Sequence, residues 1–456
     1  MEVSVAQAGG LERRMKVQVP ADEVERAVTE RIRRIGSRAR VPGFRPGKAP
    51  LAVLQQRYGA QALEEAVGAL IQSSYAEALR KSELKPAGQP SIELQQPPAA
   101  GQALEYTAVF DVYPQVALKS LADVEIEKPQ VEITEADVER VLASLREQHK
   151  TWRAVERAGA ANDRLKIDFE GRIDGELFQG SAAQDFELVL GSRRLLPQME
   201  DSLAGRKAGE SYSVDVDFPA DYPAEAVKGK RASFAITVKE VAEPVLPALD
   251  EAFFKTVGVA EGGLPALQDR IRASLLRQAD KTIQGRLKEQ ALEQLLKLNP
   301  VELPRGLIAQ EIERMRQDSI GRLPPRMQRE FAKDPARLSE LLPDETFAEA
   351  ARRRVALGLL VGEVIKSRKL ELDRSRLDQT LAALAGDYEK PDELLRYYRA
   401  NPQLMQGVEA MTLETQVVES LLAEAKIKER RIGFEELMKP PHGAAGHVHG
   451  PDCDHE

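Results

Sequence analysis

Apolar positions along this chain hold one period for a stretch and then change to another, and the changes divide it into segments. From residue 12 to 20, Met15, Val17 and Val19 alternate with polar neighbours, the period of a half-buried strand. Val24, Val28, Ile32 and Ile35 then recur at three- or four-residue steps behind Asp22, which predicts an amphipathic helix capped by that aspartate, its arginines facing outward. Two further helical stretches, about 50–58 and 60–82, precede alternating strands at 91–94 and 104–112. Residues 1–115 therefore predict an α+β unit. Residues 116–150 read as a linker, extended through Val124, Ile126 and Val131 and helical from Thr134, where Thr134 and Asp137 resemble a capping box.

Residues 151–244 change character. Leu165, Ile167 and Phe169 alternate with polar residues, Asp174-Gly175 is a hairpin turn signal, and the alternation returns at 186–190. An antiparallel β-rich domain is expected here. From 245 to 438 the helical period returns, in segments near 264–298, 304–322, 345–369, 374–386 and 401–426 punctuated by prolines, with no sustained heptad. Residues 439–456 lack any apolar period and are expected to form a disordered tail.

The length of 456 residues suits about three domains. Charged residues make up 30% and aromatics only 5%, as expected of extended helices with much surface. No run of about 18 apolar residues occurs and the N-terminus lacks a basic region followed by an apolar one, so a cytosolic protein without a membrane partner is expected. The lone Cys453 excludes an intrachain disulfide framework. Four of the five histidines lie in the tail, so proton-transfer or covalent catalysis is not expected of the body of the chain. Those in the tail, His442, His447, His449 and His455, join Cys453 as weak candidates for a divalent metal, against a plain solubilising tail; no cofactor is expected.

Charge is the second signal. The chain carries a net −8, yet between Arg31 and Arg57 there are eight Lys or Arg and no Asp or Glu. Within that stretch, Val41-Pro42-Gly43-Phe44-Arg45-Pro46-Gly47-Lys48-Ala49-Pro50 forms a Gly/Pro loop that offers one aromatic ring and two cations to an anionic partner.

Gly43-Phe44-Arg45-Pro46-Gly47-Lys48 after a basic helix resembles the ribosome-docking signature of the trigger factor family, chaperones of the nascent-chain exit site. The segments Asp168–Gly171, Gly175–Phe178, Phe186–Gly191, Leu195–Glu200 and 233–238 resemble, in order, an FKBP-type prolyl isomerase, and 355–365 with 434–438 resemble the family's C-terminal part. The resemblance implies a multidomain α+β protein: a ribosome-docking domain, an FKBP-like antiparallel β domain with a short helix, and an all-α body with helical arms. It implies a ribosome-associated, ATP-independent chaperone that binds the exit-site protein, rRNA, and nascent and unfolded polypeptides, assists folding and export, and isomerises prolyl bonds; a homodimer off the ribosome stays open. No Gly-x-x-x-x-Gly-Lys-[Ser/Thr] loop is present, in keeping with the absence of a nucleotide cycle.

Prolyl isomerisation needs no nucleophile. Its barrier of about 18–20 kcal/mol comes from amide resonance, which an apolar pocket weakens. By resemblance the pocket is lined by Phe169, Phe178, Phe186, Leu196, Met199, Tyr222 and Phe234, with the Tyr222 hydroxyl binding a substrate carbonyl. The floor departs from the family: Met199 stands where Trp or Phe is usual, Gln198 where Gly is, and Gln179 where an acid is common. Two other readings compete, a free-standing prolyl isomerase and an RNA-binding structural protein. The first leaves the basic loop idle. The second conflicts with residues 116–456, which carry about −10.

Overall fold

The structure, a computed structural model, describes all residues except 40, 43, 45–47, 100, 223, 225–226, 332–334, 387, 389 and 441–456. Its contacts divide the chain into two compact units, Met1–Lys128 with Gly285–Glu429, and Pro129–Gln284 with residues from Arg430 onward.

The first unit opens with β1 (Glu2–Gly9) and β2 (Glu12–Val19), then α1 (Ala21–Arg38), α2 (Leu51–Ser82), β3 (Ser91–Leu94) and β4 (Leu104–Asp111). The sheet order is β1-β2-β4-β3, all antiparallel. Met15, Val17 and Val19 are buried while their neighbours are not, as the alternation predicts. They pack with Val24, Val28 and Ile32 of α1 and with Tyr106 and Phe110 of β4. Asp22 is not the cap of α1: Pro20 occupies the N-cap position, no side chain caps it, and Asp22 lies in the first turn, where its charge complements the helix dipole. The two helical stretches expected at 50–58 and 60–82 are one 32-residue helix, α2. Gly59 between them meets no steric or capping signal strong enough to end it and only lowers helix propensity by about 1 kcal/mol.

β5 (Glu125–Val131) and α3 (Glu135–Gln148) follow. The expected box at the start of α3 forms: Thr134 N–H donates to Asp137 Oδ2 at 3.0 Å and Asp137 N–H to Thr134 Oγ1 at 3.3 Å. The second unit continues with β6 (Thr151–Ala154), β7 (Arg164–Ile173), β8 (Glu176–Val189), α4 (Pro197–Leu203), β9 (Ser211–Asp217) and β10 (Arg231–Val245). The antiparallel sheet runs β6-β10-β7-β8, with β9 also on β10. Asp174 and Gly175, with φ of 51° and 87°, make the expected hairpin turn. Leu165, Ile167, Leu188, Leu203, Ile236 and Val238 fill the space between sheet and α4.

The remaining elements are α5 (Glu251–Thr256), α6 (Gly263–Leu298), α7 (Arg305–Gly321), α8 (Pro325–Phe331), α9 (Pro335–Leu341), α10 (Asp344–Ser367), α11 (Arg374–Ala385), α12 (Pro391–Ala400), α13 (Pro402–Leu422), β11 (Lys426–Ile432) and α14 (Phe434–Met438). Phe253, Phe254, Leu267 and Ile271 pack on Val138 and Leu142 in the second unit. The last long helix, expected to reach 426, ends at Leu422; Lys426 begins a strand that pairs with β5. No helix among the described residues is long and apolar enough to cross a membrane.

Candidate functional site

Three strands, one helix and one loop of the β domain converge on a cavity of about 600 Å³. Phe169 comes from β7, Phe178 from β8, Phe234 from β10, Leu196 and Met199 from the start of α4, and Phe218 and Tyr222 from the loop after β9. The rings form a continuous series. Tyr222 meets Phe218 at 4.9 Å between centroids, Phe218 meets Phe178 at 5.9 Å, Phe178 meets Phe234 at 6.2 Å, and Phe234 meets Phe169 at 6.1 Å, all steeply inclined. Such edge-to-face contacts fix each ring by its neighbours.

Of the seven residues expected to line the pocket, six surround this cavity. Phe186 stands behind Phe169, 5.7 Å away, and is not among the lining residues. Met199 is buried and Tyr222 half-buried, and the Tyr222 hydroxyl has no hydrogen-bond partner among the described residues. The side chain of Gln179 lies outside the described residues. Gln198 has a visible role: its Oε1 accepts the Asp217 N–H at 2.7 Å and ties the first turn of α4 to the end of β9, directly before Phe218.

Sequence reasoning missed Phe218, Val227 and the turn residues Arg193 and Arg194 on the same cavity. Phe218 alternates with the buried Val216, so it looks like one more core residue in sequence; only the contact with Phe178 places it on the wall. The turn is held from inside by Glu200, a buried residue of α4 whose Oε1 accepts the N–H groups of Gly191 at 2.5 Å and Arg193 at 3.2 Å.

The basic loop joins α1 to α2. Val41 is buried in the first unit's core, and Phe44, whose N–H donates to the Val41 carbonyl at 3.1 Å, is 40% exposed. Gly43, Arg45, Pro46 and Gly47 lie outside the described residues; Lys48 is exposed. Arg31 is neutralised by an ion pair with Glu65. The Gln61 side chain, then the Arg31 guanidinium, hold the Glu65 carboxyl below the usual range. Arg33, Arg34, Arg38 and Lys48 are exposed and make no ion pair with a described residue.

A third surface, a groove of about 810 Å³, lies in the helical part of the first unit between α7, α10 and α13. Leu307, Val355, Leu359 and Met411 give it an apolar lining, and Glu311 with Arg314 and Arg354 a polar one. Tyr113 and Met411 are each about half exposed there. The tail candidates His442, His447, His449, Cys453 and His455 lie outside the described residues, among which no cluster of three His, Cys, Asp or Glu is placed to hold a metal ion.

A curved antiparallel sheet on one short helix, with an aromatic cavity between them, defines a protein that carries an FKBP-type peptidyl-prolyl isomerase domain. The family model "FKBP-type peptidyl-prolyl cis-trans isomerase" matches residues 156–239. "Bacterial trigger factor protein (TF)" matches 1–145 and its C-terminal counterpart 263–423. A trigger factor of Thioalkalivibrio sulfidiphilus is 44% identical over 440 residues, covering 96% of this chain and 98% of the other. One of Alkalilimnicola ehrlichii is 44% identical over 450 residues, covering 99% and 98%. A solved structure described as "Promiscuous Substrate Recognition in Folding and Assembly Activities of the Trigger Factor Chaperone" aligns at TM-score 0.47 and 20% identity, over 93% of this chain and 100% of that one. The chain belongs to the trigger factor family. It is a ribosome-associated chaperone that binds nascent chains and has peptidyl-prolyl cis-trans isomerase activity.

Proposed function

We propose that the three surfaces divide the work of the family. Residues 1–115 dock on the ribosome, 116–150 link, 151–244 isomerise prolyl bonds, 245–438 hold clients, and 439–456 form the tail. Gly43, Phe44, Arg45, Pro46, Gly47 and Lys48 form the docking loop: Phe44 packs against an exit-site protein while Arg45 and Lys48 pair with rRNA phosphate or acidic side chains. The exposure of Phe44 beside a core-anchored Val41 carries this reading, because the ring is offered to solvent within the basic stretch, where an anionic partner would approach. The work is ATP-independent and cytoplasmic, and extends to clients bound for export. The apolar groove of the helical part also offers a second copy a place to pack off the ribosome, which sedimentation analysis of the free protein tests.

In the isomerase domain, Phe169, Phe178, Leu196, Met199, Tyr222 and Phe234 enclose the proline, with Phe186 supporting Phe169. The planar imide is the charge-separated form, so an apolar enclosure disfavours it relative to the twisted state. The Tyr222 hydroxyl, without a partner among the described residues, donates to a substrate carbonyl and orients the bond.

A titration of 70S ribosomes at several salt concentrations, with the parent and with Phe44, Arg45 and Lys48 all replaced by Ala, tests the docking role. The variant should fold normally and lose association. Unchanged binding at physiological salt would refute it.

A further inference from the structure

Apart from the Tyr222 hydroxyl, the described wall of the isomerase cavity is apolar except at one lip. Among its described lining residues the only charged side chains are Arg193 and Arg194, and both are exposed. Arg193 has no acidic partner among the described residues. The Arg194 guanidinium sits 5.6 Å from the Phe186 ring centroid and donates only to the Glu187 carbonyl oxygen, at 3.5 Å. The Glu187 carboxylate is engaged elsewhere, by Arg164 at 3.3 Å. Two cations with no acidic partner among the described residues therefore stand at the lip of the cavity.

Their placement is built in. Arg193 has φ of 57°, a left-handed conformation uncommon for a residue with a Cβ, and Gly191 before it has φ of 94°. Both N–H groups are taken by one buried carboxylate oxygen of Glu200, whose Oε2 has no hydrogen-bond partner among the described residues. A buried carboxylate left half-satisfied is costly, and here its one set of bonds goes to fixing this turn. A loop free to adopt any conformation would need no such anchor.

We propose that Arg193 and Arg194 make the isomerase selective for prolines flanked by acidic side chains, with Glu200 as the positioning residue for the turn that carries them. This rests on the reading of the cavity as the prolyl site. A substrate in extended conformation advances about 3.3 Å per residue, so the residues beside a buried proline lie at the lip within reach of long arginine side chains. A carboxylate there pairs with them, and a lysine is repelled.

The test uses the full chain and three peptides that differ only in having Glu, Gln or Lys beside the proline. The kcat/KM for Glu should exceed that for Gln by about three- to fivefold, the range that exposed ion pairs supply, and Lys should fall below Gln. The spread should shrink as salt screens the charges. Arg193→Glu with Arg194→Glu should reverse the order. Glu200→Gln keeps an acceptor oxygen for the two N–H groups and should retain the Glu-to-Gln ratio, whereas Glu200→Ala should lower it; a purely structural role would lower all three peptides together. Equal turnover of the three peptides by the parent would overturn the selectivity while leaving the cavity assignment standing. Turnover of none would overturn both.

Discussion

A Cβ atom placed on Gly171 falls 2.4 Å from Cε1 of Phe234. The two residues are register partners on β7 and β10, so the ring lies over a position that has no side chain of its own. That vacancy lets Phe234 reach the cavity. Phe169 and Phe178, with centroids at 6.1 and 6.2 Å, leave the ring no easy alternative place. Gly171→Ala should therefore cost about 1–3 kcal/mol by overpacking and lower isomerase kcat/KM by roughly tenfold. A protease-coupled peptide assay with thermal unfolding of the same protein checks both. A variant as active as the parent would mean that the Phe234 ring position does not matter to turnover.

The floor and the wall of the cavity should respond in opposite directions. Met199→Phe places an aromatic floor beneath the proline and should raise turnover, because Met is a flexible filler with several rotamers to lose. Phe234→Ala removes a buried wall and should lower turnover and cost about 3–5 kcal/mol of stability. Both act on one cavity, so the double variant should not show the sum. If neither change alters turnover on a short proline peptide, the catalytic residues lie elsewhere.

Much of this architecture is legible in the sequence because burial there follows a simple period. β2, α1 and α10 each bury one face, and their Met15, Val28 or Leu360 mark it. β1 is not legible: its side chains are exposed along almost its whole length, and of the alternating Val3 and Val5 only Val3 packs, half-buried, against the core. β11 is missed for the same reason, since Lys-Ile-Lys-Glu-Arg-Arg-Ile is exposed nearly throughout and is held by backbone pairing. The helices α8, α9 and α12 are short pieces beside prolines, where start signals outnumber periodic positions. At the cavity, the aromatic residues can be read by resemblance, but the turn of Arg193 and its anchor Glu200 cannot. A glutamate in a helix of mixed polarity looks exposed until packing buries it.

Acid should weaken the isomerase domain through Asp163. This residue is 2% exposed; its Oδ1 accepts from Arg157 Nη2 at 3.0 Å and its Oδ2 from the Ala160 N–H at 2.8 Å. The Arg157 guanidinium holds the Asp163 carboxyl below the usual carboxylate range. The folded pKa is thus lower than the unfolded value of about 3.9, so the stabilisation is present above that value and is lost as pH falls through the folded pKa. Stability measured from pH 7 to pH 2 should drop below about pH 4, and Asp163→Asn should flatten that part of the curve. At neutral pH the variant should lose about 3 kcal/mol, the low end for breaking a buried pair, because Arg157 stays half-exposed and keeps its bond to Glu243. An acid limb identical in parent and variant would remove Asp163 from the explanation.

Client holding should reside outside the isomerase domain. The groove between α7, α10 and α13 mixes Leu307, Val355, Leu359 and Met411 with Glu311, Arg314 and Arg354, and so presents many weak contacts and no deep specific pocket. Excision of residues 151–244 should abolish prolyl isomerisation and leave most of the suppression of aggregation of an unfolded client. Met411→Glu should do the reverse. Met411 is 49% exposed, so the charge is solvated in the free protein and costs the fold within about 0.5 kcal/mol, yet it must be desolvated when an apolar client segment covers it. Light scattering of a denatured client at several chaperone ratios should show a weaker holdase, while peptide isomerisation by the same variant stays at the parental rate. A folded Met411→Glu protein that suppresses aggregation as well as the parent would move the client surface away from this groove.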